Sequence, residues 1–393
     1  MRVAGLMSGT SLDGLTIGII SIEEPKTRST RGLKQLVREA KFLEGKTYPF
    51  TRKLQSQLSE ISNIENRPST AFLARANSDF GIFCANCTKK FLAGKNAIDL
   101  VGFHGQTVYH EPGSPTVTFQ LGDPSPICLA TNCAVVSDFR TMDTAAGGQG
   151  APLVPMIDYL RYSSSTKSRI ILNLGGIANF TYIPYGSGID DVRAFDVGPA
   201  NILIDGAVRE LYGSTRNRDE GGKIALRGTV SKDLMDYILE QDDFRFLASP
   251  KSTGRERYSQ SFLQKILDRA KELSLSREDI ITTISNYSLF MIDYHIRKLL
   301  KEDGGKQIDE IIVGGGGSKN RFLFDGIAKL DSVSKVSVHD DYGVRARFWE
   351  SFSFAILAFL AFHRIAGNVP TATGASRQVV LGRINYPVEH QIA

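Results

Sequence analysis

Apolar positions along this chain fall into short dense runs that alternate with longer stretches of helical spacing. Residues 2–8 and 15–22 are apolar-rich runs of strand length flanking a glycine-rich turn, the pattern of an antiparallel hairpin. Residues 67–94 carry apolar positions at three- and four-residue spacing, which predicts a helix. Ile98-Asp-Leu-Val-Gly-Phe103 then reads as a short buried strand ending in His104-Gly-Gln-Thr107. Strand-like runs recur at residues 134–136, 169–172, 180–183, 192–195 and 308–313, separated by helical segments such as 226–241, 259–274 and 278–301. Alternation of strands and helices argues for an α/β fold. The sequence "strand, Gly-rich turn, strand" stands at residue 9 and again at residue 175. That repetition suggests a duplicated architecture with a nucleotide in a cleft between the halves, because ligand sites form at the carboxyl ends of strands and at domain interfaces. No low-complexity linker marks a boundary. The placement of the motifs puts the expected domains at residues 1–136 with 366–393, and at residues 137–365.

At 393 residues and 42% apolar, the chain is long enough for two domains, each with a core. Its 47 basic and 42 acidic residues leave a surplus of +5 that is not gathered into a basic run, so no nucleic-acid partner is expected. The longest apolar run, Phe348 to Phe362, is about 15 residues and includes Glu350. A membrane span needs ~20, so this run reads as a buried helix and no membrane partner is expected. The opening residues lack a basic stretch followed by an apolar one, and a cytoplasmic protein is expected. Cys84 and Cys87 have the C-x2-C spacing of zinc sites, without a second such pair. With Phe80, Phe83 and Phe91 they fall at helical spacing, and they read as small core hydrophobes.

Gly5-Leu-Met-Ser-Gly-Thr-Ser-Leu-Asp-Gly14 is the densest chemical signal. Glycines let backbone approach a polyanion, while Ser8, Thr10 and Ser11 offer hydroxyls and successive N–H groups for an anion nest. Asp13 among these donors makes sense as a magnesium ligand, directly or through water. The chain has no G-x-x-x-x-G-K-[ST] and no spaced G-x-G-x-x-G followed by an acidic residue. Nucleotide binding therefore falls to the two hairpins, at Gly9–Gly14 and at Gly175, Gly176 and Asn179.

Eight segments now support a resemblance: Met7–Gly14; His104-Gly-Gln-Thr107 with His110-Glu-Pro112; Gln120–Asp123; Asp138-Phe-Arg140 running into Ala145–Pro152; Asn173–Asn179; Phe195-Asp-Val-Gly-Pro199; Lys251-Ser-Thr-Gly-Arg-Glu256; and Gly367–Pro370 with Thr373-Gly-Ala375. In type and order, over essentially the whole chain, they resemble the anhydro-N-acetylmuramic acid kinase family. The resemblance implies an α/β, two-domain, actin-like (ribonuclease H-like) sugar-kinase fold with an ATP cleft between domains. It also implies a reaction that hydrolyses a 1,6-anhydro bond and phosphorylates the freed O6, with ATP and Mg2+ as cofactors and a homodimeric assembly. Asp196 would be the base that activates water. Asp13 and Glu350 would organise the metal. Gly9, Thr10, Ser11, Leu12, Asp13, Gly14, Leu15 and Thr16 would hold the phosphates together with Gly175, Gly176 and Asn179. Gly314, Gly315, Gly316 and Gly317, with Asn320, look like the superfamily's adenosine motif. His104, Gln106, Asp138, Arg140 and Gln149 are candidates for the sugar. Arg140 either receives the substrate carboxylate or forms a local pair with Asp138. Two departures stand out: Thr16 replaces a frequent Asp, and Phe348-Trp349-Glu350 replaces a frequent Ala-Lys-Glu. The alternatives are levoglucosan, or another 1,6-anhydro sugar, as the substrate, and a non-catalytic nucleotide-binding module.

Overall fold

The computed structural model describes residues 1–9, 12–63, 66–213, 216–249, 251–254 and 256–387. Its strands are β1 (Arg2–Ser8), β2 (Gly14–Ser21), β3 (Lys41–Pro49), β4 (Leu100–Glu111), β5 (Val117–Leu121), β6 (Ala134–Ser137), β7 (Arg169–Leu174), β8 (Ile177–Ile183), β9 (Arg193–Pro199), β10 (Glu310–Gly314), β11 (Val336–Val338) and β12 (Arg383–Asn385). One sheet has the order β12-β6-β4-β1-β2-β3, with β5 on β4, and the other has β11-β10-β7-β8-β9. In the first, β1 is antiparallel to β2 and β2 to β3, while β4 runs parallel to both β1 and β6. In the second, β7, β8 and β9 are successively antiparallel, and β10 runs parallel to both β7 and β11. The five-strand core is thus built twice with one order and one set of directions, the actin-like (ribonuclease H-like) α/β arrangement.

The chain separates into two compact units, Met1–Tyr162 with Gly343–Ala393, and Ser163–Tyr342. These limits differ from the expected crossings near residues 136 and 365, for a packing reason at each end. Helix Pro155–Tyr162 packs on helix Thr30–Glu39, where Arg161 Nη1 donates to Val37 O at 2.8 Å. Helix Trp349–Phe362, expected in the second domain, lies instead on β1, β2 and β4 of the first unit. Gly5 pairs in register with Gly18 on one side and Gly102 on the other. A Cβ at Gly5 would strike Ser351 O and Ala355 N, and one at Gly102 would strike Phe354 O. This three-strand glycine stripe is the groove that admits the helix backbone, and Glu350 arrives with it.

Each unit buries its own core, one around Leu6, Ile17, Phe80 and Phe103, the other around Leu172, Phe180, Ile284 and Met291. Cys84 and Cys87 lie in the first of these on helix Thr70–Leu92, and all four cysteines are free thiols. The helix expected at 226–241 starts at Lys232, capped by Ser231, whose side chain accepts from Leu234 N. Strand β4 does not stop at Phe103 but continues to Glu111 and turns back as β5. No helix among the described residues is long and apolar enough to cross a membrane.

Candidate active site

In the second unit, Asp196 lies on β9 directly opposite Asn179 on β8. Its backbone N–H donates to Lys251 O at 3.0 Å, and its Oδ2 accepts from the Thr253 N–H at 2.8 Å. The loop that makes both contacts is tied down by Asp242, a buried carboxylate. Asp242 accepts from Phe244 N at 3.0 Å, from the Tyr258 hydroxyl at 2.8 Å and from the Tyr287 hydroxyl, and it pairs with Arg257 at 3.3 Å. Burial pushes the Asp196 carboxyl up to about 7; the Thr253 N–H pulls it down, Glu256 pushes it up and Lys251 pulls it down. Lys251 is itself drawn down to about 8 by burial and by Lys298. A carboxyl held near neutrality and fixed by a single backbone donor is suited to take a proton reversibly. Beside it, Thr253 Oγ1 is buried and has no partner among the described residues. A buried hydroxyl without a partner is costly, which marks Thr253 Oγ1 as a place for a ligand or water contact. The signal for Thr253 was its place in the Lys251–Glu256 segment, but nothing in that string separates Thr253 from its neighbours.

Gly175 and Gly176 form the tight turn between β7 and β8. Asn201, at the start of helix Asn201–Tyr212, clamps this turn by donating from Nδ2 to Leu174 O at 3.1 Å and Gly175 O at 2.7 Å. Local packing accounts for three of the glycines in the run expected to contact adenosine. A Cβ at Gly315, where φ is +76°, would meet Asn173 and Leu174 O; one at Gly317 would meet Leu174 and Asn201; one at Gly314 would meet the His339 ring. Those three glycines serve protein packing around the turn, and Gly316 alone faces open space. Asn320 is buried and caps helix Arg321–Ala328, its Oδ1 accepting from Leu323 N.

In the first unit, Thr10 and Ser11 lie outside the described residues. Leu12 adopts φ +55°, its N–H donates to Gly9 O at 3.3 Å and its carbonyl accepts from Gln55 Nε2 at 2.9 Å. A leucine in this left-handed region is strained and is held there by the turn. Gly14 has Tyr48 O and Pro49 where a Cβ would go. Beyond Gly14 the expected phosphate segment turns into sheet: Leu15 is fully buried, and Thr16 Oγ1 bonds Thr47 Oγ1 across the β2–β3 pair at 3.0 Å. Leu15 has no surface to offer a nucleotide.

Gln106 likewise supports the turn. It is fully buried, its Oε1 accepts from Ser8 Oγ, and its Nε2 donates to Gly9 O at 3.2 Å and Thr107 O at 3.1 Å. Its amide is used up in holding β1 and the hairpin, which leaves nothing for a sugar. Gln149 is committed too, bonded to Gly113 and Thr116. Asp138 accepts from Thr141 Oγ1 and pairs with Arg383 at 3.0 Å, so the local Asp138–Arg140 pair does not form.

Arg140 takes a different role. Its Nε and Nη2 approach His104 Nε2 at 3.2 and 3.0 Å, and its Nη1 donates to Gly150 O at 3.0 Å. His104 is buried, with Nδ1 at 2.9 Å from Gly105 O, and burial together with Arg140 holds its imidazole down to about 3. It is therefore a neutral acceptor that orients the guanidinium. Burial lowers Arg140 to about 10, opposed by Glu350 and Asp143. Glu350 keeps solvent-accessible surface but is closely surrounded by protein. Lost hydration raises its carboxyl, Arg140 pulls it down, and Asp13 pushes it up. Asp13, Glu350 and Arg140 thus come together from residues 337 positions apart at the extremes. A carboxyl raised by a neighbouring carboxylate, as Glu350 is by Asp13, is relieved by a cation, and magnesium takes one or two protein carboxylates plus phosphate oxygens and water. The donor set fits that ion. His110, partly buried beside Arg140, has Nδ1 without a partner among the described residues. The sequence marked it only as part of the His110-Glu-Pro112 segment.

Residues 1–387 match the family described as anhydro-N-acetylmuramic acid kinase. A protein of that name from Bacillus cereus (strain ZK / E33L) is 36% identical over 397 residues, covering 98% of this chain and 100% of its own length. One from Bacillus thuringiensis subsp. konkukian (strain 97-27) shows the same identity and coverage. Among solved structures, the activator of the 2-hydroxyisocaproyl-CoA dehydratase from Clostridium difficile with bound ADPNP aligns with a TM-score of 0.43 at 11% identity, over 91% of this chain and 94% of that one. This last is a distant likeness.

Proposed function

The chain belongs to the anhydro-N-acetylmuramic acid kinase family, and we propose that it converts 1,6-anhydro-N-acetylmuramic acid and ATP to N-acetylmuramic acid 6-phosphate and ADP in cell-wall recycling. The match over the full relatives favours neither levoglucosan nor a non-catalytic module. The observation that carries the chemistry is Asp196, a carboxyl near neutrality beside an unpartnered hydroxyl. The substrate has no free 6-hydroxyl to deprotonate. Water must attack C1, forming the new C1–O bond as the C1–O6 bond breaks. Asp196 takes the water proton, and Thr253 Oγ1 supplies the second contact that orients the water. O6 then bonds the γ-phosphorus while the bond from phosphorus to ADP breaks. Proton removal at a positioned base is typically worth 10²–10⁴-fold.

Arg140, oriented by His104, is the group suited to the lactyl carboxylate, because a guanidinium offers paired donors. His110 faces the same region with a free ring nitrogen. Asp13 and Glu350 would hold magnesium, which when bound neutralises phosphate charge. The nucleotide donor places this reading in the cytoplasm, and the resemblance adds a homodimer, testable by light scattering. Turnover in ¹⁸O-labelled water tests the whole reading. Label should enter C1 of the sugar product and be absent from the transferred phosphate, under conditions of slow anomeric exchange. Label in free phosphate, with no sugar phosphate formed, would mean a simple ATPase.

A further inference from the structure

A cavity of about 320 Å³ opens in the second unit, separate from the Asp196 carboxylate, between β9, helix Arg277–Asp303 and the Ala248-Ser249 segment. Phe195 and Leu299 give it an apolar wall, while Arg193, His295, Lys298 and Glu302 give it a polar one. The two cations differ. Arg193 is already satisfied, with Nη1 on Glu302 at 2.8 Å and Nη2 on Asp303. Lys298 has no hydrogen bond or ion pair among the described residues, and it faces two further basic groups. His295 is held down to about 3 by burial, Lys251 and Lys298, and its Nε2 is 3.3 Å from Lys251 Nζ. Among the described residues Lys298 is thus a cation without a counter-charge at the wall of a cavity, and a bound anion supplies one. The volume is that of a small-metabolite pocket.

We propose that this cavity binds a small oxyanion on Lys298 and the Ser249 hydroxyl, and that its occupancy stiffens the loop that holds the Asp196 carboxylate. The connection is short. Ser249 lines the cavity, Lys251 O accepts the Asp196 N–H at 3.0 Å, and Thr253 N–H donates to Asp196 Oδ2 at 2.8 Å. A ligand on Ser249 therefore restrains backbone two residues from the first of these contacts. The opposite wall, His295, touches the Lys251 ammonium, which in turn donates to Phe244 O at 2.7 Å.

The test needs no turnover, so its failure is separable from failure of the kinase reading. Inorganic phosphate and acetate are titrated in separate arms into the ADP-saturated protein at constant ionic strength, with chloride as the control. Backbone amide resonances and hydrogen exchange are followed at residues 247–253 and 295–302. Phosphate, acetate or both should shift the Ser249 and Lys298 signals and slow exchange at Lys251 and Thr253. Lys298→Ala should weaken that binding by about tenfold or more, as loss of a charged hydrogen bond does, and Lys298→Arg should restore most of it. Equal affinity in Lys298→Ala, shifts reproduced by chloride, or no shift with either anion would each overturn the proposal.

Discussion

The two sheets share one strand order and one set of directions, yet each arranges its carboxylate chemistry differently. In the second unit the proposed base is on a strand, Asp196 of β9, and a neighbouring loop donates a backbone N–H to it. In the first unit the carboxyls come from a turn and from a helix, Asp13 and Glu350, and no strand supplies either. The turns differ as well. Gly175-Gly176 is tight and clamped by Asn201, whereas the turn around Leu12 is longer, carries a left-handed leucine and is held by Gln106 and Gln55. A duplicated scaffold thus provides equivalent positions, and the side chains and packing around them set the electrostatic environment of each carboxyl. Burial raises both Asp196 and Glu350, but the compensating charges differ. Lys251 and a backbone N–H stabilise the Asp196 anion against Glu256, whereas Arg140 acts against Asp13 at Glu350.

The sharpest separation of the two regions is Asp196→Asn, which should lower turnover by roughly 10²–10⁴-fold while leaving nucleotide affinity nearly unchanged by calorimetry. A variant keeping more than about a tenth of the wild-type rate would break the assignment of the base. The same substitution has a stability signature. Asp196 in the fold holds its proton to about pH 7, against an ordinary value of 3.8, so its contribution to stability is greatest below the ordinary value and is lost as pH rises through about 7. Asn escapes that loss, so the inactive variant should be the more stable one above pH 7, by on the order of 1–3 kcal/mol in denaturant melts. In the wild type, kcat/KM should fall on the acid side with a midpoint near 7.

Glu350→Ala and Asp13→Ala probe the other region. Each should raise the magnesium requirement and lower turnover by one or more orders of magnitude, with the acid limb of kcat/KM left in place. Normal magnesium dependence with a lower melting temperature in Glu350→Ala would instead make Glu350 a helix N-terminal charge.

Thr253→Val refines the base region by removing only the hydroxyl. Turnover should drop about tenfold, the value of one lost hydrogen bond to the attacking water. The acid limb near 7 should persist, because the backbone N–H that tunes Asp196 is retained. A shifted limb would show that the hydroxyl supports the loop rather than the water.

The smallest expected effect is Gly316→Ala. Nothing occupies the space its Cβ would enter, so stability should change by less than about 0.5 kcal/mol. If the nucleotide lies over this glycine, its KM should rise several-fold. Gly315→Ala is the contrasting control: strained at φ +76° and blocked by Leu174, it should destabilise the protein outright.

The two glycine turns were legible in the amino-acid string as breaks between apolar runs, Asp13 and Asp196 stood out as carboxylates at a turn and a strand end, and Glu350 was singled out by resemblance to the family. The hairpin β1–β2, the β7–β8–β9 meander and the long helix Arg277–Asp303 were legible too, being apolar runs of one period between clear breaks. Strand β3 was not, since it pairs at the sheet edge and alternates Lys, Glu and Thr with half-buried neighbours, leaving little apolar contrast. His104, Gln106 and Gln149 looked alike as polar members of motifs, but only tertiary structure shows that the two glutamines spend their amides on the chain itself while His104 steers Arg140.

What the sequence determined by itself was local: periodicity selects strand or helix, and glycine and aspartate mark where backbone must turn or charge must be tolerated. What tertiary structure alone decided was partnership. The apolar run after Glu350 reads as buried from any direction, and only the aligned Gly5, Gly18 and Gly102 say which sheet receives it. Those three glycines are 97 residues apart at the extremes and become one groove only when β1, β2 and β4 pair. Hydrophobic burial is non-directional, so it drives a segment inward without naming its neighbour. The neighbour is chosen by close packing, which is a property of surfaces assembled from distant parts of the chain.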